Sequence, residues 1–165
     1  MRTVDEIVVR GSPEHCFGFG ADVERWPEWL PHYRWVRFQR KDGFGTGLIE
    51  MAARRWFGPL PWPVWWVSEM SIDRARPAVI YRHVQGITTG MDVVWTFQEL
   101  GDGTTHVRIV HEWASGPRWP LPGFLRRWIG DTIIGPVFIH HVASRTLAGI
   151  KRAAESTTVT PGERS

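Results

Sequence analysis

"IVVRGSPEHCFGFGADVERWPEWLPHY", residues 7–33, changes structural type within a few positions. The segment that leads into it, "TVDEIVVR" (3–10), alternates and is rich in β-branched residues, which is the pattern of a strand. Gly11 ends that pattern. Ser12 followed by Pro13 and Glu14 reads as an N-cap with proline at the first helical position, so a short helix is predicted over 13–21. Asp22 is placed to cap a second short helix over 23–30, which Pro31 ends.

Outward from this opening the chain changes again. From residue 32, turn signals recur at "KDG" (41–43), "FGPLP" (57–61), "RARP" (74–77), "QGITTG" (85–90) and "GDG" (101–103). They separate β-rich runs over 33–40, 46–56, 62–73, 78–84, 91–100 and 104–114. Consecutive strands with short turns pair with one another, so a six-stranded antiparallel meander is expected after the first strand. "SGPRWPLPG" (115–123) breaks the pattern. In 124–155, apolar or small residues from Phe124 to Ile150 recur at spacings of three and four, which predicts a long helix with a kink near Gly135–Pro136. The remainder, 156–165, has no periodicity and reads as a loose tail, leaving residues 1–155 as one domain. The fold class is therefore α+β. A curved seven-stranded antiparallel sheet exposes one apolar face, and only the C-terminal helix is large enough to cover it.

The chain has 165 residues, enough for one domain with a substantial core. Its single cysteine, Cys16, excludes an internal disulfide and a cysteine-based zinc site, and reads as a small buried hydrophobe. Asp5 and Glu6 stand where a signal peptide needs an apolar run, and no stretch has the length of a membrane span. A cytoplasmic location is the expectation. A net charge of +3 is too weak for a nucleic-acid binder.

Eleven tryptophans are the anomaly. Four of them fall in "RWFGPLPWPVWWVSEM" (55–70). An indole is bulky and rigid and carries an N–H that needs a partner. Side chains of this kind, laid between a helix and a sheet, prop open a concave apolar site for a small apolar or aromatic ligand.

The element order and the opening "a strand, then SPEHCF, then DVERWPEW" resemble the START-like superfamily with the helix-grip fold, the polyketide cyclase/dehydrase and lipid-transport group. The resemblance spans about 5–155. Within the group, "VERWPEWLPHY" (23–33), "WWVSE" (65–69), "YRHVQG" (81–86), "MDVVWTF" (91–97) and "GTTHVRIVHEW" (103–113) are most similar to bacterial aromatic polyketide aromatase/cyclases.

That resemblance implies site residues. Arg82 falls where these cyclases keep a cavity arginine, whose fork of donors would hold carbonyl oxygens and developing enolate charge. The alternative is a solvated strand arginine paired with Asp92 or Glu99. Tyr33 matches a cavity-mouth tyrosine able to pass a proton. Trp26, Trp66 and Trp95 match cavity-lining aromatics. Trp29, Trp56, Met70, Met91, Phe97, Trp128 and Thr132 complete the expected substrate-binding set. Neighbouring strand residues face opposite sides, so Trp65 and Trp66 cannot both face the cavity. Trp66 is expected inside, with Val64, Ser68 and Met70. The same rule sets His83 opposite Arg82. His140 lies on the apolar stripe of the last helix, positioned as a base near neutral pH. Adjacent His140 and His141 do not share a helix face, so they make no metal site. Met70 stands where the cyclases have a second arginine, which makes this site more apolar.

The resemblance implies a cofactor-independent enzyme that folds a carrier-bound poly-β-ketone and directs its cyclisation, dehydration and aromatisation. Arg54, Arg55, Arg126, Arg127, Lys151 and Arg152 are surface basics suited to an acidic acyl carrier protein. The rival readings are a non-catalytic carrier of a lipid, quinone or isoprenoid, with "PLPWPVWW" making transient membrane contact, and a partner-binding module. A homodimer is compatible with each.

Overall fold

The computed structural model describes residues 1–57, 60–114, 116, 120, 122–129 and 139–157. Strand β1 (Arg2–Arg10) is followed by helix α1 (Pro13–Ala21), a single 3-10 turn (Val23–Arg25) and a one-turn helix α2 (Trp26–Trp29). Six strands come next: β2 (Tyr33–Gly43), β3 (Thr46–Phe57), β4 (Leu60–Asp73), β5 (Ala78–Gly86), β6 (Asp92–Gly101) and β7 (Thr104–Glu112). Helices α3 (Gly123–Ile129) and α4 (His140–Thr157) complete the order. Helix is therefore present at both ends of the predicted 124–155 segment, and the kink expected at Gly135–Pro136 lies outside the described residues.

The seven strands form one antiparallel sheet in the order β1-β7-β6-β5-β4-β3-β2. Strands β2 to β7 are a plain meander, and β1 closes onto β7 with Arg2 opposite Glu112 and Arg10 opposite Thr104. Both β1 and β2 remain edges, so this is an open, curved sheet and not a barrel. Irregular pairing in β2 and between β4 and β5 marks bulges, which bend strands.

The opening segment folds as its caps dictate. The Ser12 hydroxyl accepts from the His15 N–H at 3.3 Å, and Pro13 starts α1. The 23–30 segment departs from expectation. Asp22 makes no side-chain cap there, and the segment splits into the 3-10 turn and α2 because Pro27 cannot donate an N–H. Trp26 is nonetheless fixed: its Nε1–H donates to the Phe19 carbonyl at 2.9 Å, and 1% of it is exposed.

Helix α4 covers the concave face. It buries Ala143, Thr146, Leu147, Ile150 and Ala154, spaced by three and four. At Gly149 an added Cβ would stand 2.0 Å from Leu30 Cδ2, so the helix touches the α2–β2 connection backbone-close. Gly20 of α1 likewise meets Phe97, whose ring also packs edge-on to Phe17 at 5.7 Å.

Candidate functional site

Helix and sheet do not meet everywhere. Between α4 and the middle strands lies a cavity of about 80 Å³, several times the roughly 10–15 Å³ that one water requires. Its aromatic wall is a chain of rings. Trp95 meets Trp26 at 5.6 Å, Trp26 meets Tyr33 at 5.1 Å, Tyr33 meets Trp66 at 6.3 Å, and Trp66 stacks on His83. Met51 and Met91 fill between the rings, Val93 and Ile109 form part of the sheet floor, and Ile139, Val142 and Ala143 come from the helix side.

Polar groups enter this apolar shell at few points. Tyr33 and Tyr81, His83 and His111, Thr88 and Thr146 all line it. No charged side chain does so among the described lining residues. Burial pushes the Tyr33 phenol up to about 12, with the Thr146 hydroxyl, 3.5 Å away, acting against it. Burial, then the charge of Tyr33, raises Tyr81 well above the usual phenol range. Both phenols therefore keep their protons at neutral pH. Burial lowers His83 to about 3, with His111 adding to the effect, and lowers His111 to about 3 by itself. Both are neutral imidazoles. His83 Nδ1 lies 2.6 Å from the Thr88 hydroxyl and His111 Nδ1 lies 3.4 Å from that of Thr3, which turns each Nε2 away from the threonine.

The expected site residues divide. The structure brings Trp26, Tyr33, Trp66, Met91 and Trp95 together around the cavity. Trp65, one residue from Trp66, faces outward and donates to Glu50 at 2.8 Å. Arg82 is a correction. It points away from the cavity and binds Asp92 at 2.7 Å, because Val79, Tyr81 and His83 take the inner positions of β5 and leave Ile80 and Arg82 outside. His83, expected outside, is therefore within. His140 is a second correction. Its side chain is 62% exposed and is engaged by the buried Asp5 carboxylate on β1, not by the cavity.

Four further residues lie elsewhere. Met70 and Phe97 are buried in the core, Phe97 beneath α1, and neither is among the lining residues. Trp29 packs edge-on against Phe19 at 5.8 Å. Trp128 is exposed on α3. Thr132 and the Trp56 side chain lie outside the described residues. Sequence reasoning missed Tyr81, His111 and Thr146 as cavity groups. For Tyr81 and His83 the signal was the charged Arg82 between them, since alternation that leaves a charge in solvent turns both neighbours inward. Among the described residues no three His, Cys, Asp or Glu side chains converge as a metal site would require, and no helix is long and apolar enough to cross a membrane.

Comparison with known proteins agrees with this architecture. Residues 9–137 match the family model described as polyketide cyclase / dehydrase and lipid transport. A protein of Streptomyces cyaneus provisionally named a polyketide cyclase is 27% identical over 120 residues, 72% of this chain and 76% of its own length. The ZhuI aromatase/cyclase from Streptomyces sp. R1128 superposes with a TM-score of 0.75 over 99% of both chains at 16% identity. The di-domain aromatase/cyclase BexL from the BE-7585A biosynthetic pathway gives 0.69 at 22% identity, covering 97% of this chain and 48% of its own. A START superfamily protein from Mycobacterium smegmatis gives 0.67 at 15%, covering 95% and 99%.

Proposed function

The chain belongs to the polyketide cyclase/dehydrase and lipid transport family, and on that premise we propose that it binds a nascent poly-β-ketone in the cavity and directs its cyclisation, dehydration and aromatisation. The observation that carries this reading is a set of buried phenols and neutral imidazoles inside a wall of indoles.

The chemistry matches such groups. A methylene between two carbonyls enolises with weak help. Ring closure joins that carbon to a carbonyl carbon, whose oxygen takes up a proton, and loss of water follows. The Tyr33 phenol, protonated at neutral pH, donates to the oxygen that gains charge. A neutral imidazole Nε2, from His111 or His83, accepts the proton leaving carbon in concert with the donation from Tyr33, since burial disfavours a lasting imidazolium. Trp26, Trp66 and Trp95 restrict the fold of the chain, so much of the rate comes from holding the reacting carbons close. Arg54 and Arg152 are exposed and would be available to an acidic acyl carrier protein.

The test is a product profile. Purified protein is supplied to a minimal aromatic polyketide synthase, and products are compared by mass spectrometry. A defined cyclised aromatic that declines with Tyr33→Phe and with His111→Ala is the expected result. An unchanged mixture of spontaneous products would reject catalysis.

One observation favours a second reading, a carrier of an apolar molecule. Trp62, near the β3–β4 turn, is 62% exposed, and indoles suit membrane surfaces. Co-sedimentation with liposomes that falls on Trp62→Ser would support a carrier, and no co-sedimentation would count against it.

A further inference from the structure

Tyr81 is 4% exposed and lines the cavity, yet its hydroxyl has no partner among the described residues. Buried hydroxyls are rarely left in this state, and one that lines a cavity is available to a ligand atom or to a water that a ligand displaces. Its surroundings define which atom. Across the sheet, Tyr81 is in register with Val93, and Val93 with His111. These three residues form one cross-strand row, and two strand spacings put the backbones of Tyr81 and His111 about 10 Å apart. His83 lies two residues from Tyr81 on the same face. Tyr81, His83 and His111 thus surround the small Val93 floor, and Trp26, Trp66 and Trp95 line the same cavity.

From this arrangement we infer that the cavity selects an uncharged ring bearing two separated oxygen groups, phenol or ketone, one bonded by the Tyr81 hydroxyl and the other by Nε2 of His83 or His111, and that it rejects the carboxylate of the same skeleton. Indole faces accept a flat ring. The phenol offers a donor and each imidazole Nε2 offers one further polar contact. A carboxylate entering the same space would lose its hydration and meet no cation among the described lining residues, at large cost. The inference deepens the cyclase reading by naming the substrate class, and rests on it only in taking this cavity as the ligand site.

The experiment is isothermal titration calorimetry at pH 7 with 2,6-dihydroxynaphthalene, naphthalene and 6-hydroxy-2-naphthoate. The dihydroxy compound is expected to bind at least about tenfold more tightly than the carboxylate. Tyr81→Phe, which removes only an unpartnered hydroxyl, is expected to weaken the dihydroxy compound roughly 2- to 10-fold, the range of one hydrogen bond, and to leave naphthalene unchanged. Equal or tighter binding of the carboxylate would overturn the inference, as would no binding of the dihydroxy compound. If Tyr81→Phe does not fold, the ligand series on the unmodified protein still decides. Discrimination among these ligands without any change in the polyketide product profile would retain the inference and reject the cyclase reading.

Discussion

The indole of Trp66 lies nearly parallel to the imidazole of His83, with ring centroids 5.9 Å apart and planes inclined by 14°. Trp66 is the inner neighbour of the outward Trp65, and it holds one side of His83 while Thr88 holds Nδ1. Trp66→Ala should therefore act on the ligand more than on the fold. Trp66 is only half-buried, so the stability loss should fall below the about 3–5 kcal/mol of a fully buried Trp→Ala. Affinity for an aromatic ligand should drop about tenfold, the worth of a good aromatic contact. Calorimetric melting and ligand titration separate the two effects.

Stability should fall steeply in mild acid. Burial lowers His32 to about 4, with Arg145, His141 and Arg152 contributing, and lowers His83 and His111 to about 3. Unfolded histidines take up protons near 6.5, whereas these remain neutral in the folded protein. Stability present above pH 6.5 is thus lost as pH drops toward 4 and 3. The expected slope is two to three protons between pH 6 and 4. His111→Gln should reduce it by about one proton, measured by denaturant titration across pH.

On the convex face, Glu50 accepts from Trp35 at 3.2 Å, Trp65 at 2.8 Å, Gln39 at 3.1 Å and Arg37 at 3.1 Å. Burial pushes its carboxyl up, but these hydrogen bonds outweigh it and hold Glu50 at about 2. The associated stability is complete above the ordinary glutamate value and is lost as pH falls toward 2. Glu50→Gln should cost about 1–3 kcal/mol at pH 7 and show a weaker loss between pH 4.5 and 2.5 than the unmodified protein, read from thermal melts.

Arg82→Met should be nearly silent. An exposed pair such as Arg82–Asp92 contributes about 0–1 kcal/mol. Ligand affinity and product pattern should be unchanged. A loss of product with intact stability would return Arg82 to the reaction.

Gly149→Ala should destabilise in spite of the better helix propensity of alanine. The new methyl would lie 2.0 Å from Leu30 Cδ2, and Leu30 is fully buried. Overpacking of this kind costs about 1–3 kcal/mol. Gly18, in α1, has open space around an added Cβ, so Gly18→Ala is the matching control that should stabilise by up to about 1 kcal/mol.

The fold was legible because its signals are local. Ser12–Pro13 starts α1 where the capping pattern indicates, and each glycine-bearing turn falls between strands that pair. The indole wall was partly legible, since alternation separates Trp65 from Trp66. The polar site was less legible, since the family likeness implies a β5 with Arg82 facing the cavity. Alternation that leaves the charged Arg82 in solvent orients it the other way, with Tyr81 and His83 inside. Thr146 and His111 are brought to the cavity by helix placement and long-range strand pairing, neither of which leaves a short motif. His140 follows the helix stripe, but Asp5, far away in sequence, engages it.

In β5, His83 pairs with Ser68 while Gln85 pairs with Val67, so Val84 is the extra residue of a bulge. The bulge absorbs one position of chain. Between it and Tyr81, guanidinium and imidazole occupy successive steps of the pleat, one facing solvent and one facing the cavity. Loss of Val84 would straighten the strand without turning either over, because Arg82 and His83 are already paired with Glu69 and Ser68 ahead of the bulge. The strand can therefore bend beyond His83 while Tyr81 and His83 stay on one face, so the curvature of the cavity floor can vary without exchanging its polar groups for the guanidinium outside.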